Sequence, residues 1–157
     1  MLFFTQRPGV FPGKEVLAMK LAQLLAPLGI TEGFKDVEIS DIVYDSRKAK
    51  AGCAFVCLRG SAVDGHKFAA NAAAAGAAAI IAQEPVEASG AQVILVEDTR
   101  RALALMSAAF FGNPAEGDIS VIGVTGTKGK TTTAYMIRSI LEAAGHKTGV
   151  IGTIGVL

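Results

Sequence analysis

Apolar residues recur along this chain with two periods, and the switches between them predict a mixed α/β protein. Leu21, Leu24, Leu25 and Leu28 fall at helical spacing and stop at Gly29. Residues 37–44 alternate as a strand does, and residues 54–58 (AFVCL) read as another, with the polar turn segment DSRKAKAG between them. Helical composition returns from position 66 to about 75, with Gly76 as the stop. The alanine run AAAAGAAA there suits a helix packed closely on a sheet. Two apolar strands follow at 78–82 (AAIIA) and 92–97 (QVILVE), separated by a loop holding Pro85 and Gly90.

Asp98 or Thr99 caps the next helix, whose apolar face is Ala102, Leu105, Met106, Ala109 and Phe110. Gly112, Asn113 and Pro114 end it, and NPAEGD reads as a linker. Beyond it, ISVIGVT is an unbroken β-rich run of the kind found in parallel strands buried on both faces. A helix over 130–144 puts Ala134, Ile137, Leu141 and Ala144 on one side and stops at Gly145; KTGVIGT is then a second strand. Strands alternating with helices predict α/β architecture with parallel sheets. The pattern divides the chain into a loose leader at 1–18, a domain at 19–114 and the beginning of a second domain at 115–157. Met19 is an alternative start for the folded part.

Composition narrows the classes. Of 157 residues, 51% are hydrophobic, enough for a sizeable core. The 15 basic and 14 acidic residues nearly cancel, with no basic stripe for nucleic acid or an anionic membrane. No apolar run approaches the roughly 20 residues that span a bilayer. The opening MLFFTQRPGVFPGKEVLA lacks the charged start and long apolar middle of a signal peptide. Cys53 and Cys57 lie four apart in a predicted strand, so both face one side. Without further Cys or His nearby they read as small buried hydrophobes in a reducing, cytoplasmic protein.

The chemistry concentrates at Gly123–Thr133, GVTGTKGKTTT. A strand delivers the chain into a glycine-rich turn and a helix begins at once. Gly126 and Gly129 let backbone N–H groups approach phosphate oxygens, and the helix start adds unpaired donors. Lys130 brings a cation for the outer phosphates of a nucleoside triphosphate, read here as ATP although the loop by itself leaves GTP open, and the Thr131 hydroxyl is a ligand for Mg²⁺. The phosphate-binding set is therefore Gly126, Thr127, Lys128, Gly129, Lys130, Thr131 and Thr132. The common pattern G-x-x-x-x-G-K-[ST] would need glycine at 124, where this chain has Val124; the loop is a G-T-x-G-K-T-T subtype.

The same loop, followed by a helix and GVIGTIG at 149–155, resembles the entry to the central domain of the Mur ligase family. In that family Asn is frequent where Lys128 stands. Upstream, Tyr44-Asp45-Ser46-Arg47, Ala51-Gly52, Phe55-Val56, Gly60 and Val63-Asp64-Gly65-His66 resemble the family's UDP-binding domain in order and spacing. The resemblance, strongest to the MurE type, covers 19–157. It implies a small UDP-sugar-binding α/β domain followed by the start of a P-loop-type ATP-binding domain. It implies an ATP-dependent amide ligase of peptidoglycan precursor synthesis, adding the third amino acid to UDP-N-acetylmuramoyl-L-Ala-D-Glu through an acyl phosphate.

Lys130 is then the catalytic cation. Tyr44, Ser46, Ser61, Ala62 and Val63 border the UDP moiety, although Asp45-Ser46-Arg47 reads equally as a capped turn with a surface ion pair. The partners implied are the UDP-dipeptide, an amino acid and further ligase domains downstream, without which this stretch is expected to be catalytically incompetent. The rival readings are the MurF type, which adds D-Ala-D-Ala, and a non-catalytic nucleotide-binding module. His66 reads as a helix-start histidine bonded to backbone, and Arg100-Arg101 as a solvated face.

Overall fold

The structure, a computed structural model, describes residues 2–5, 18–61, 63–113, 119–153 and 155–156. Two compact units divide the chain: 16–112, and 113–157 together with 1–15. Strand β1 (Leu2–Thr5) belongs to the second of these. The leader expected at 1–18 thus contributes a strand; positions 6–17 lie outside the described residues.

The 16–112 unit begins with β2 (Met19–Lys20) and α1 (Leu21–Leu25), continued by a 3₁₀ turn (Ala26–Leu28) that Gly29 ends in the left-handed region, φ +74°. The predicted strand at 37–44 is in fact two, β3 (Glu38–Ile39) and β4 (Asp41–Val43), which join different sheets. Between them Ser40 breaks the run: its N–H donates to the Gly52 carbonyl, and its hydroxyl to that of Ala51. β3 pairs antiparallel with β2, whereas β4 starts a parallel sheet. That sheet continues through β5 (Cys53–Val56), β6 (Ala79–Ala82) and β7 (Gln92–Leu95) in the order β4-β5-β6-β7. The predicted helix at 66–75 opens as a 3₁₀ turn (Gly65–Phe68), capped by the Asp64 carboxylate, before α2 (Ala69–Ala74). α3 (Thr99–Phe110) follows β7, and Asp98 caps it by accepting the N–H groups of Arg100 and Arg101.

Strand alternation sorts the core into two layers. Ala54, Val56, Ala79, Ile81 and Ile94 face α1 and α3, meeting Leu21, Leu24, Leu25, Ala102, Met106 and Phe110. The intervening residues Cys53, Phe55, Cys57, Ile80 and Ala82 face the α2 side, where Ala69, Ala72 and Ala77 let the backbones approach closely. Burying each large aliphatic or aromatic side chain here stabilises by about 1.5–3 kcal/mol.

Both cysteines are free, fully buried and on one face, and burial, reinforced by the Asp64 carboxylate, pushes the Cys57 thiol up to about 12. Near pH 8 Cys57 should therefore resist a thiol-specific reagent in the native protein and react when denaturant is added. Rapid stoichiometric labelling of Cys57 without denaturant would contradict this packing.

The other unit carries β8 (Ile119–Ile122), α4 (Lys130–Ala143), β9 (Lys147–Gly152) and β10 (Gly155–Val156). β1 lies antiparallel between β8 and β9, giving the order β10-β9-β1-β8. Ala134, Ile137 and Leu141 of α4 pack on Ile122, Val124 and Val150. The face predicted at Ala134, Ile137 and Leu141 is thus covered, while Ala144 is exposed; Met136 and Ile140 are the large apolar side chains that α4 exposes. β8 differs from expectation, since Val121 is 53% exposed. It is an edge strand, and α4 is the one helix among the described residues of this unit, so a single face is covered.

Candidate functional site

At the end of β8, residues 123–129 turn the chain into α4. Gly129 is the N-cap, in the left-handed region at φ +77°, and Gly126 has φ +141°. An L side chain is strained at either angle, which is why this sequence can place successive N–H groups around an anion. The first internal helix bond is Thr133 N–H to the Gly129 carbonyl, so the N–H groups of Lys130, Thr131 and Thr132 are left for a ligand. No acidic residue lies in that first turn to compete for them.

Residues 126–133 are all exposed. Lys130 reaches back so that its Nζ donates to the Gly126 carbonyl at 2.5 Å, which holds the ammonium over the turn. A cleft of about 140 Å³ beside it is lined by Lys130, Thr131, Tyr135, Val150 and Thr153, among others. The structure thus brings all seven predicted phosphate-loop residues together at one helix start. A single Thr131 hydroxyl, with phosphate oxygens and water, suits Mg²⁺, which keeps several waters and needs few protein ligands.

Of the predicted UDP-facing residues, Tyr44, Ser46, Ser61 and Val63 lie in the other unit, past the carboxyl ends of its parallel strands, where open α/β sheets bind ligands. Tyr44, 63% exposed, follows β4 directly. Asp45 then caps the 3₁₀ turn Ser46–Lys48: its carboxylate accepts the Arg47 N–H and forms a two-pronged pair with the guanidinium, at 2.9 and 2.7 Å. Those bonds from Arg47 hold the Asp45 carboxyl down at about 2. The capped turn with its ion pair is therefore present, and it leaves the Ser46 side chain half-exposed beside Tyr44.

Adjacent β5 runs into a narrow loop, where Gly60 N–H donates to the Val63 carbonyl at 2.9 Å and Arg59 bridges Asp64. Ser61 and Val63 sit exposed at its tip; Ala62 lies outside the described residues. β4 and β5 are neighbours in the sheet, so the Tyr44–Ser46 turn and the 60–63 loop rise from the same edge one strand apart.

Among the described residues, Asp64, His66 and Glu84 form one trio with the spacing of metal ligands. Their bonding excludes that use. His66 Nε2 accepts the Gln83 N–H at 3.0 Å, its Nδ1 meets Asp64 Oδ1 at 2.6 Å, and Arg59 pairs with both Asp64 and Glu84. His66 is bonded to backbone as its sequence position implies. Arg100 and Arg101 are exposed, as the expected solvated face requires, and Arg100 Nη2 in addition donates to the Arg59 carbonyl at 2.7 Å. Gln83 carried no motif; its place just after a buried strand was the one available signal.

One unit thus carries an exposed glycine-rich turn between a strand and a helix, and the other a parallel sheet with loops gathered at its carboxyl edge. The model described as "Mur ligase family, catalytic domain" matches residues 38–111, and "Mur ligase middle domain" matches 124–157. The chain belongs to the Mur ligase family. It is 48% identical over 126 residues to the UDP-N-acetylmuramoyl-L-alanyl-D-glutamate–2,6-diaminopimelate ligase of Clostridium perfringens, covering 80% of this chain and 26% of that protein. With the Bacillus cereus ligase of the same name it shares 50% over 117 residues, 74% of this chain and 23% of that one. The chain thus spans about a quarter of the length of these relatives.

Among solved structures, it resembles MurF of Acinetobacter baumannii, with TM-score 0.64 and 33% identity, over 82% of this chain and 29% of that one. It also resembles the MurF ligase of Thermotoga maritima in complex with ADP, with TM-score 0.54 and 33% identity, over 66% of this chain and 23% of that one.

Proposed function

We propose that this chain supplies the substrate-gripping part of an ATP-dependent ligase that adds diaminopimelate to UDP-N-acetylmuramoyl-L-Ala-D-Glu in the cytoplasm. The observation that carries the reading is the phosphate loop at 126–132, exposed and unblocked at the start of α4. The diaminopimelate ligases, at 43–50% identity, favour this substrate over D-Ala-D-Ala, the MurF structures being 33% identical.

In this reading the N–H groups of residues 126–132 hold the ATP phosphates and Lys130 leaves the Gly126 carbonyl for the outer phosphate oxygens. Thr131 would hold Mg²⁺, which supplies charge neutralisation between the phosphates. The dipeptide carboxylate attacks the γ-phosphorus and ADP leaves, giving an acyl phosphate. The amine of the incoming amino acid then attacks the acyl carbon, phosphate departs and the nitrogen loses a proton. Little covalent chemistry is asked of the protein; it positions groups and offsets negative charge. Tyr44, Ser46, Ser61, Ala62 and Val63 border the uridine end of the substrate.

The test is product analysis with a full-length protein carrying this chain, ATP, the UDP-dipeptide and candidate amino acids. ADP, phosphate and a UDP-tripeptide containing diaminopimelate are expected. Turnover with D-Ala-D-Ala on a UDP-tripeptide instead would move the protein to the MurF type.

A further inference from the structure

The loop proposed to border the uridine is held by a closed circuit of polar bonds that spans three strand ends. The Gln83 backbone N–H is an obligate donor, so His66 Nε2, which meets it at 3.0 Å, is the bare nitrogen of the ring. Its Nδ1 then carries the proton and donates to Asp64. Asp64 also accepts the His66 N–H at 3.0 Å and faces Arg59 at 3.4 Å, and these bonds, led by those from His66, lower its carboxyl below the usual range. The foot of the 60–64 loop is thereby tied to the end of β6.

From there the Gln83 side chain goes on to β7 and α3. Its amide donates to the Glu97 carbonyl at 3.0 Å and accepts the hydroxyl of fully buried Thr99 at 2.9 Å. The next residue, Arg100, closes the ring by donating to the Arg59 carbonyl on the other limb of the same loop.

We propose that His66, Gln83 and Arg100 are positioning residues that fix the two limbs of this loop, residues 59–61 and 63–64, in the conformation that receives the uridine diphosphate end of the substrate. None of the three touches the nucleotide in this proposal, which rests on the reading that Ser61 and Val63 border it. A loop of exposed residues would otherwise lose its conformational freedom on binding and lower the affinity; bonds already made from both limbs remove that cost in advance. The bond from the Gln83 N–H asks only for an acceptor at the Nε2 position, and the backbone His66 N–H to Asp64 does not depend on the ring.

The experiment uses the 157-residue chain, with UDP and ATP titrated separately and followed by amide chemical shifts. Arg100→Ala changes an exposed side chain and should weaken UDP binding three- to tenfold, leaving the melting temperature and the ATP affinity unchanged. His66→Phe should weaken it by tenfold or more. His66→Gln, which keeps an acceptor for the Gln83 N–H, should restore it to within about threefold. Equal UDP affinity in wild type and Arg100→Ala would overturn the proposal, as would weakening that tracks the melting temperature or affects ATP equally. If UDP shifts no amide in 44–46 or 60–64 of the wild type, the underlying reading of the site fails and the proposal falls with it.

Discussion

Replacing Lys130 with alanine is expected to lower ATP-dependent phosphate release about 10²–10³-fold in a full-length ligase carrying this chain, leaving UDP binding by the 16–112 unit unchanged. The expectation follows from comparing the groups that the loop offers. A backbone N–H or a threonine hydroxyl contributes about 1 kcal/mol net when it trades water for a phosphate oxygen. A full charge about 4 Å from a phosphate oxygen is worth about 4 kcal/mol at the effective dielectric of a protein surface. Lys130 is the one cation in the first turn of α4, and its ammonium already lies over the loop on the Gly126 carbonyl.

Lys128 is also in the loop and exposed. It precedes the helix start, whereas Lys130 lies within it, so Lys128→Ala should cost far less. Phosphate release by the Lys130 variant within a few-fold of wild type would sink the assignment of this residue. Loss of UDP binding in the same variant would show that the two units are not independent in the way the expectation requires.

The loop was legible because its signal is local: strand, glycine turn, Lys-Thr and helix are all consecutive. The strands at 53–56 and 79–82 were legible for a similar reason, since two-residue alternation fixes which face each side chain takes. Cys53 and Cys57 fell on one face as that rule requires. What escaped the sequence depends on partners that are distant in the chain. Ser40 splits the 37–44 run because Gly52 and Ala51 supply its bonds. Residues 2–5 (LFFT) look like a short, mostly apolar stretch until β8 and β9 present edges on either side of them. Val121 sits in a run hydrophobic enough for two covered faces, yet its cover is a property of the neighbouring layers. In the candidate site, Tyr44, Ser46, Ser61 and Val63 came from resemblance, while Gln83 and Arg100 emerged only once the strand ends were in register.

Gly65→Ala should lower the stability of the 16–112 unit by about 1–3 kcal/mol and its melting temperature by about 5–15 °C. The reason is space and not backbone angle. A Cβ at position 65 would stand 2.7 Å from both the nitrogen and the oxygen of Leu58, and 3.2 Å from the carbonyl carbon of Cys57. These are backbone atoms of the chain leaving β5, so no side-chain rotation relieves the contact. The closeness is itself required, because the Gly65 N–H donates to the Leu58 carbonyl at 2.8 Å and brings the two limbs of the 59–64 loop together.

An added methyl group must therefore break that bond or push the loop off the end of the sheet, and Asp64 and His66 on either side would carry the displacement to Gln83. UDP affinity should fall together with stability, in contrast to Arg100→Ala, where affinity alone falls. Accessibility of the Cys53 and Cys57 thiols during heating reports the melting of this unit specifically, since both lie in its α2-side layer. At Gly60 the nearest atom to a new methyl would be the Val63 oxygen at 3.0 Å, so Gly60→Ala should be the milder change. A Gly65→Ala protein whose thiols become reactive at the wild-type temperature would mean that the loop closes without the Leu58 contact.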